Sequence, residues 1–237
     1  MKSNSAKLYL IPSTLGDVEP LASIPAAVYE RINEIDDYLV ENEKSARQYL
    51  KRLGIKKPLQ QINLHLLDKR TAFADLTPMM QALAEGKNMG VLSEAGCPGI
   101  ADPGALAVKW AHQNGYDVVP LTGPSSILLA LMASGFNGQS FAFQGYLPID
   151  RSERIKKIKE LEKLTQTQHQ TQIFIETPYR NNHLIEDVLQ QCQPQTKLCI
   201  AVDLTLTTEF VKSKTIAAWR QSKPDLHKRP AIFLLDN

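Results

Sequence analysis

The 237 residues predict an α/β protein built from two α/β domains, 1–122 and 123–237. Three observations predict it. Residues 89–126 read as strand, Gly/Pro-rich loop, helix, strand and second Gly/Pro-rich loop. The segments before them alternate short β-rich runs with helical spacing. After Ser134-Gly135 the same alternation begins again, with no solenoid-like period.

In the first half, Lys7–Ile11 is a short β-rich run ended by Pro12. Residues 24–35 have helical spacing, with Pro25 suited to a first turn. Asp37–Val40 reads as a strand, 43–53 as a helix closed by Gly54, 62–67 as a strand by alternation, and 75–84 as an amphipathic helix. Met89–Leu92 is apolar and strand-like. The helix over 103–112 stops at Asn114-Gly115, and 117–121 is the next strand. A right-handed crossover makes these two strands parallel, so the loops 93–102 and 122–125 leave one edge. That carboxyl edge is where open α/β sheets bind ligands. Gly96, Pro98, Gly99, Pro103 and Gly104 fall within twelve positions, letting rigid backbone approach a ligand closely. Asp102 reads as a cap for the helix that Pro103 starts.

In the second half, a small-residue helix covers 127–132 and a strand 141–147. Residues 151–164 form a charged helix with an apolar stripe of Ile155, Ile158, Leu161 and Leu164. Then come a Gln/Thr-rich connector at 165–171, a strand at 172–175, a helix at 183–192, a strand at 197–202, a short helix at 215–220 and a last strand at 231–235. The basic run Arg151–Lys163 is either phosphate-binding surface or, given Glu153, Glu160 and Glu162, a solvated helix with internal ion pairs.

Composition narrows the chemistry. A formal charge of +2 leaves a grip on nucleic acid to a local patch rather than a global field. No apolar run reaches the ~20 residues of a membrane span. The first sixteen residues hold no secretory h-region, so a cytoplasmic location without membrane contact is expected. Three cysteines without a CxxC pair suggest neither a disulfide framework nor zinc. The five histidines are scattered, and no metal site is expected. No GxxxxGK[ST] and no G-x-G-x-x-G after the first strand occur, which argues against nucleotide hydrolysis and an ordinary dinucleotide site. Ser125 is not in a G-x-S-x-G elbow.

The ordered motifs SEAGCPGIADPG (93–104) and PLTGPSS (120–126) resemble the tetrapyrrole-methylase-like superfamily of S-adenosylmethionine-dependent methyltransferases. Within it, the chain is most similar to the bacterial 16S rRNA ribose 2′-O-methyltransferases, with their SDAGTPGISDPG and PGPSA segments. FAFQGYLP (141–148), IFIETPYR (173–180) and Leu204-Thr205 with Glu209 match three further blocks, so the resemblance runs through nearly the whole chain.

The resemblance implies S-adenosylmethionine folded between two α/β domains, a homodimer, and 16S rRNA of the small subunit as partner. It implies cofactor contacts from Leu15, Glu94, Gly96, Cys97, Gly99, Ser125 and Ser126, and from Ile175 or Glu176, Leu204 and backbone near Pro230-Ala231. A methionine ammonium and ribose hydroxyls want a carboxylate and backbone carbonyls, and adenine wants a flat apolar slot. Ser125 and Ser126 also read as an N-cap for the helix that follows. Glu94 stands where the family has Asp, and Cys97 where it has Thr.

The acceptor side departs further. Glu41-Asn42-Glu43-Lys44, with Arg47 three residues on, replaces E-D-T-R, and His65-Leu66-Leu67-Asp68 replaces H-E-H-N. Val202, Asp203 and Leu206 replace the Arg, Glu and Lys around E-L-T-K. Lys44, Arg47, Glu176, Tyr179 and Arg180 are the catalytic candidates, with Glu41, His65 and Tyr146 as further cleft candidates and no general base assigned. A tetrapyrrole or other small acceptor is the alternative, and a non-catalytic cofactor-binding factor the second.

Overall fold

A computed structural model describes residues 6–237; the opening five residues of the N-terminal reading lie outside it. The chain divides into two compact units, one ending at Ser125 and the other covering Ser126–Asn237.

The first unit is a parallel sheet between two helical layers. Its strands are β1 (Lys7–Ile11), β2 (Asp37–Val40), β3 (Asn63–Leu66), β4 (Met89–Leu92) and β5 (Asp117–Pro120), in spatial order β3-β2-β4-β1-β5. All pairings are parallel, with Ile11 opposite Leu92 and Leu10 opposite Pro120. The two strands of the 89–121 segment therefore flank β1 rather than pairing with each other.

Side-chain alternation along each strand feeds two cores. Leu8, Leu39 and Val91 meet Leu76, Met80, Leu83, Ala107 and Trp110 on one face. On the other, Tyr9, Ile11, Tyr38, Val40 and Leu92 meet α1 (Ala26–Ile32) and α2 (Glu43–Arg52) through Val28, Ile32, Ala46 and Leu50. Gly90 makes room there: a Cβ would stand 2.7 Å from both Ile11 Cδ1 and Tyr38 Cδ1.

Local chemistry explains where elements start and stop. Asn42 caps α2, its Oδ1 accepting from the N–H groups of Lys44 and Ser45. The expected single helix over 75–84 is two short turns, α3 (Leu76–Met79) and α4 (Gln81–Ala84). At Met80 ψ is 12°, and Leu83 N donates to Met80 O in an i→i+3 bond. Helix α5 (Gly104–Gln113) begins one residue after Pro103. The Asp102 carboxylate does more than cap it: Oδ1 accepts from Gly99 N at 2.8 Å and Gly104 N at 2.7 Å, cinching the loop.

The second unit holds a mixed sheet. After α6 (Ser126–Ser134) come β6 (Phe141–Tyr146), α7 (Arg151–Gln168), β7 (Thr171–Ile175), α8 (Asn181–Gln191), β8 (Lys197–Val202), β9 (Phe210–Thr215), α9 (Ile216–Gln221) and β10 (Ala231–Asp236), with sheet order β6-β7-β10-β8-β9. Phe174, Ile200 and Phe233 form its core with Ile158, Leu161, Leu184, Val188 and Trp219. Helix α7 continues through Gln168, where a connector was expected. Gln is a good helix former, and the Thr165 and Thr167 hydroxyls donate to the helix's own carbonyls at Glu162 and Lys163. His169, at φ 50°, ends it.

Strand β9 was not anticipated. It pairs antiparallel with β8 at the sheet edge, where Lys212 and Lys214 suit an edge strand and hide its pattern. Along α7, Glu153–Lys156 and Lys157–Glu160 pair within the helix. Arg151 and Arg154 engage Asp187. The helix thus carries the internal ion pairs expected of a solvated face.

Candidate functional site

The carboxyl ends of β1, β4 and β5 emerge side by side, and their loops are fastened together. Ser13 and Gly96 exchange backbone hydrogen bonds of 2.8 and 3.1 Å, tying the loop after β1 to that after β4. Ser13 Oγ adds a bond to Ser93 O at 2.7 Å. The Cys97 thiol donates to Pro124 O at 3.4 Å, bringing in the loop after β5. Burial, then the negative charge of Asp102, pushes that thiol's pKa up, so it is a lining group and not a thiolate nucleophile.

The backbone there has shapes that side chains resist. Gly96 (φ 72°) and Gly99 (φ 85°) are left-handed, and a Cβ on Gly96 would press on Leu15 Cδ2 at 3.3 Å and Pro124 O at 3.4 Å. At Gly123 a Cβ would lie 2.1 Å from Pro12 Cβ. Leu15, Gly96, Cys97 and Gly123-Pro124 thus form one compact rim. Ser125 follows Pro124 directly, and Ser126 is the first residue of α6.

Glu94 stands beside this rim. Its Oε1 accepts from Ser45 Oγ at 2.6 Å, and its N–H donates to Glu41 Oε1 at 3.4 Å. Burial first, then the charges of Asp102 and Glu94, raises the pKa of Glu41. A cavity of about 370 Å³ opens between the loop after β1 and α2, with Glu94 on its wall. Ser45, Gln48, Tyr49 and Arg52 line it from α2 at i, i+3, i+4 and i+7 spacing. Sequence reasoning missed these four. The visible signal was their shared helix face next to a ligand-binding sheet edge. Tyr49 Oη donates to Pro12 O at 3.0 Å. Burial raises its pKa and keeps the phenol neutral.

Lys44 and Arg47 lie elsewhere on α2. Lys44 is exposed. Arg47 donates to Leu59 O at 2.7 Å and lies 3.8 Å from Glu43, outside the cavity lining. His65 Nε2 sits 3.0 Å from Asp37 Oδ1, also away from the cavity.

The second unit gathers its candidates at one sheet edge. Register sets Ile175 opposite Tyr146 and Ile232, and Val202 opposite Ala231 and Phe210. Glu176 follows Ile175, its side chain buried; Oε1 accepts from Arg180 Nη2 at 2.6 Å and Nε at 3.0 Å. Leu204 is buried between two left-handed residues, Asp203 (φ 51°) and Thr205 (φ 72°). Asp203 Oδ2 accepts from Arg229 Nε at 2.8 Å and Thr208 Oγ1 at 2.8 Å, and Asp203 N donates to Pro230 O. Thr205 Oγ1 is buried with no partner among the described residues. Tyr179 projects into solvent, 67% exposed.

Among the described residues no cluster of three or more His, Cys, Asp or Glu is placed to hold a metal ion, and no helix is long and apolar enough to cross a membrane.

The sequence matches the family model of tetrapyrrole (corrin/porphyrin) methylases over residues 7–218. It is 30% identical over 222 residues to a ribosomal RNA small subunit methyltransferase I of Thermotoga maritima, covering 92% of this chain and 94% of that one. The protein of the same name from Leptospira biflexa is 28% identical over 239 residues, with 100% and 93% covered. Among solved structures, the methyltransferase CobJ superposes with a TM-score of 0.64 at 18% identity, over 98% of this chain and 93% of that one. Diphthine synthase gives 0.66 at 14% identity, over 97% and 89%.

Proposed function

The chain belongs to the tetrapyrrole methylase family and is a methyltransferase, and on that premise we propose that it transfers the methyl group of S-adenosylmethionine to small-subunit ribosomal RNA, at a ribose 2′-oxygen of 16S rRNA. The observation that carries the acceptor is the near full-length similarity to small subunit rRNA methyltransferases from several bacteria. On this reading it acts in the cytoplasm, as a homodimer.

The first unit's rim fits such a donor. Leu15 and the left-handed turns at Gly96 and Gly99 leave bare backbone for an adenosyl group. Cys97 and Ser125 contribute main-chain polar groups, Ser126 flanks them, and Glu94 offers a carboxylate to the methionine ammonium, steadied by Ser45. On the second unit, Ile175, Leu204 and Ala231 are proposed as donor contacts in their own right, with Thr205 Oγ1 an available polar atom beside Leu204.

Bound, the donor supplies a methyl group on a positively charged sulfur. The protein's task is to bring an acceptor oxygen into line with it, and positioning dominates such a step. Lys44, Arg47, Tyr179 and Arg180 are proposed on the acceptor side. Glu176, buried and ion-paired, holds Arg180 in place.

The test is labelled-methyl transfer to small ribosomal subunits from cells lacking the gene, followed by mapping of the modified nucleoside. Label on a 16S ribose carries the reading. Turnover of a porphyrinoid without rRNA labelling replaces the acceptor. Tight donor binding without methyl transfer to any cellular RNA leaves a binding factor.

A further inference from the structure

Two loops of the second unit meet beyond the edge that holds Ile175 and Ala231, and they present the ring of Tyr179 to solvent. Tyr179 lies in the turn between β7 and α8, and His227 and Lys228 lie just before β10. The turn that carries Tyr179 is fastened on both sides. Lys228 N donates to Pro178 O at 3.0 Å, and the side chain of fully buried Asn181 donates to Arg229 O at 2.7 Å. The His227 ring stands edge-on to Tyr179, with centroids 6.0 Å apart.

Lys228 adopts φ 60°, a left-handed conformation that side chains rarely take. Its ammonium then sits 5.8 Å from the Tyr179 ring centroid. Arg180 and Arg229 nearby are tied to Glu176 and Asp203. Lys228 takes part in no ion pair among the described residues and keeps its charge available. Asp225 beside it is already engaged by Asn182 and by His227 N.

An exposed ring on a fastened turn, with an adjacent cation outside any ion pair, is equipment that suits single-stranded nucleic acid. The ring stacks on a base of any identity, and the cation meets the phosphate. We propose that Tyr179, flanked by His227 and Lys228, is a stacking platform for an unpaired base of the RNA acceptor, with Lys228 contacting the phosphate beside that base. This rests on the RNA reading above and adds to it the form the RNA takes: unpaired at the platform. Double-helical RNA keeps its bases stacked on one another and offers the ring nothing.

The experiment measures anisotropy of a short labelled single-stranded RNA, and of the same strand annealed to its complement, with the full-length protein. Tyr179→Phe keeps the ring and should bind the single strand like wild type. Tyr179→Ala should bind it about tenfold more weakly while its duplex binding stays unchanged. Lys228→Gly accepts the left-handed backbone, so it stays folded, and should lower the salt slope of single-strand binding by about one. Retained affinity for S-adenosylhomocysteine by calorimetry confirms that each variant is folded.

Single-strand affinity of Tyr179→Ala within twofold of wild type overturns the platform, and so does equal weakening for both probes. If wild type labels 16S rRNA and Tyr179→Ala binds unchanged, the platform alone fails. If wild type neither labels rRNA nor holds the single strand, the acceptor assignment fails with it.

Discussion

Ser45 Oγ donates a 2.6 Å hydrogen bond to Glu94 Oε1, joining the first turn of α2 to the loop after β4 across 49 residues of sequence. Asn42 caps the same turn, its Oδ1 accepting from Ser45 N at 3.1 Å.

If Glu94 receives the donor's ammonium, Glu94→Gln should weaken S-adenosylhomocysteine binding about tenfold or more, the scale of a hydrogen bond to a charged group. Ser45→Ala should cost less, about 1 kcal/mol, since the bond is exposed. Calorimetry reads both; unchanged affinity in Glu94→Gln removes that carboxylate from the site.

Two glycines separate packing from binding. Gly90→Ala forces a methyl against Ile11 and Tyr38 inside the core, and should cost about 1–3 kcal/mol in urea unfolding with donor affinity retained. Gly123→Ala pushes the rim loop off Pro12 and should lower donor affinity more than stability. The reverse pattern would place the site elsewhere.

The Arg154–Asp187 pair, 2.7 Å apart and 9% and 4% exposed at the side chains, binds α7 to α8. Removing one partner strands a buried charge, so Asp187→Ala should destabilise by about 3–5 kcal/mol. An Arg154→Met/Asp187→Leu double variant should recover most of that loss in chemical denaturation. A double variant as unstable as the single one contradicts this account.

Glu41 carries a pH signature. Burial raises its folded pKa above the ordinary 4.5, so the folded state holds its proton more tightly than the unfolded chain does. Its contribution is fully present below the unfolded pKa and is lost as pH rises through the folded value. Thermal midpoints followed upward from pH 4 should therefore fall more in wild type than in Glu41→Gln. Parallel curves would mean that this carboxyl is as well solvated in the native state as out of it.

Much of the architecture was legible because local signals agreed with the tertiary outcome. Apolar runs at β1, β2 and β4, and Gly54 and Gly115 past helix ends, marked their elements directly. Misreadings came where tertiary pairing overrode pattern. FVKSKT became β9 through its ladder to β8, and the Gln/Thr segment after Leu164 stayed helical with Thr165 fully buried. The Glu94–Gly99 loop was visible as composition. The α2 face with Ser45, Gln48, Tyr49 and Arg52 was not, because a polar helix face looks solvated until the sheet edge beside it is known. The pairing of Tyr179 with Lys228 was equally hidden, since 49 residues separate them.

Strand β1 sits between β4 and β5, so during synthesis it must wait for partners about eighty and more than a hundred residues later. At about 5–20 residues per second, its apolar side chains and its backbone N–H and C=O groups stay unpartnered for several seconds during synthesis. Newborn chains halted before Leu92 should consequently be the species that chaperones hold and that clump when overproduced, whereas chains extended past Pro120 can close the first sheet.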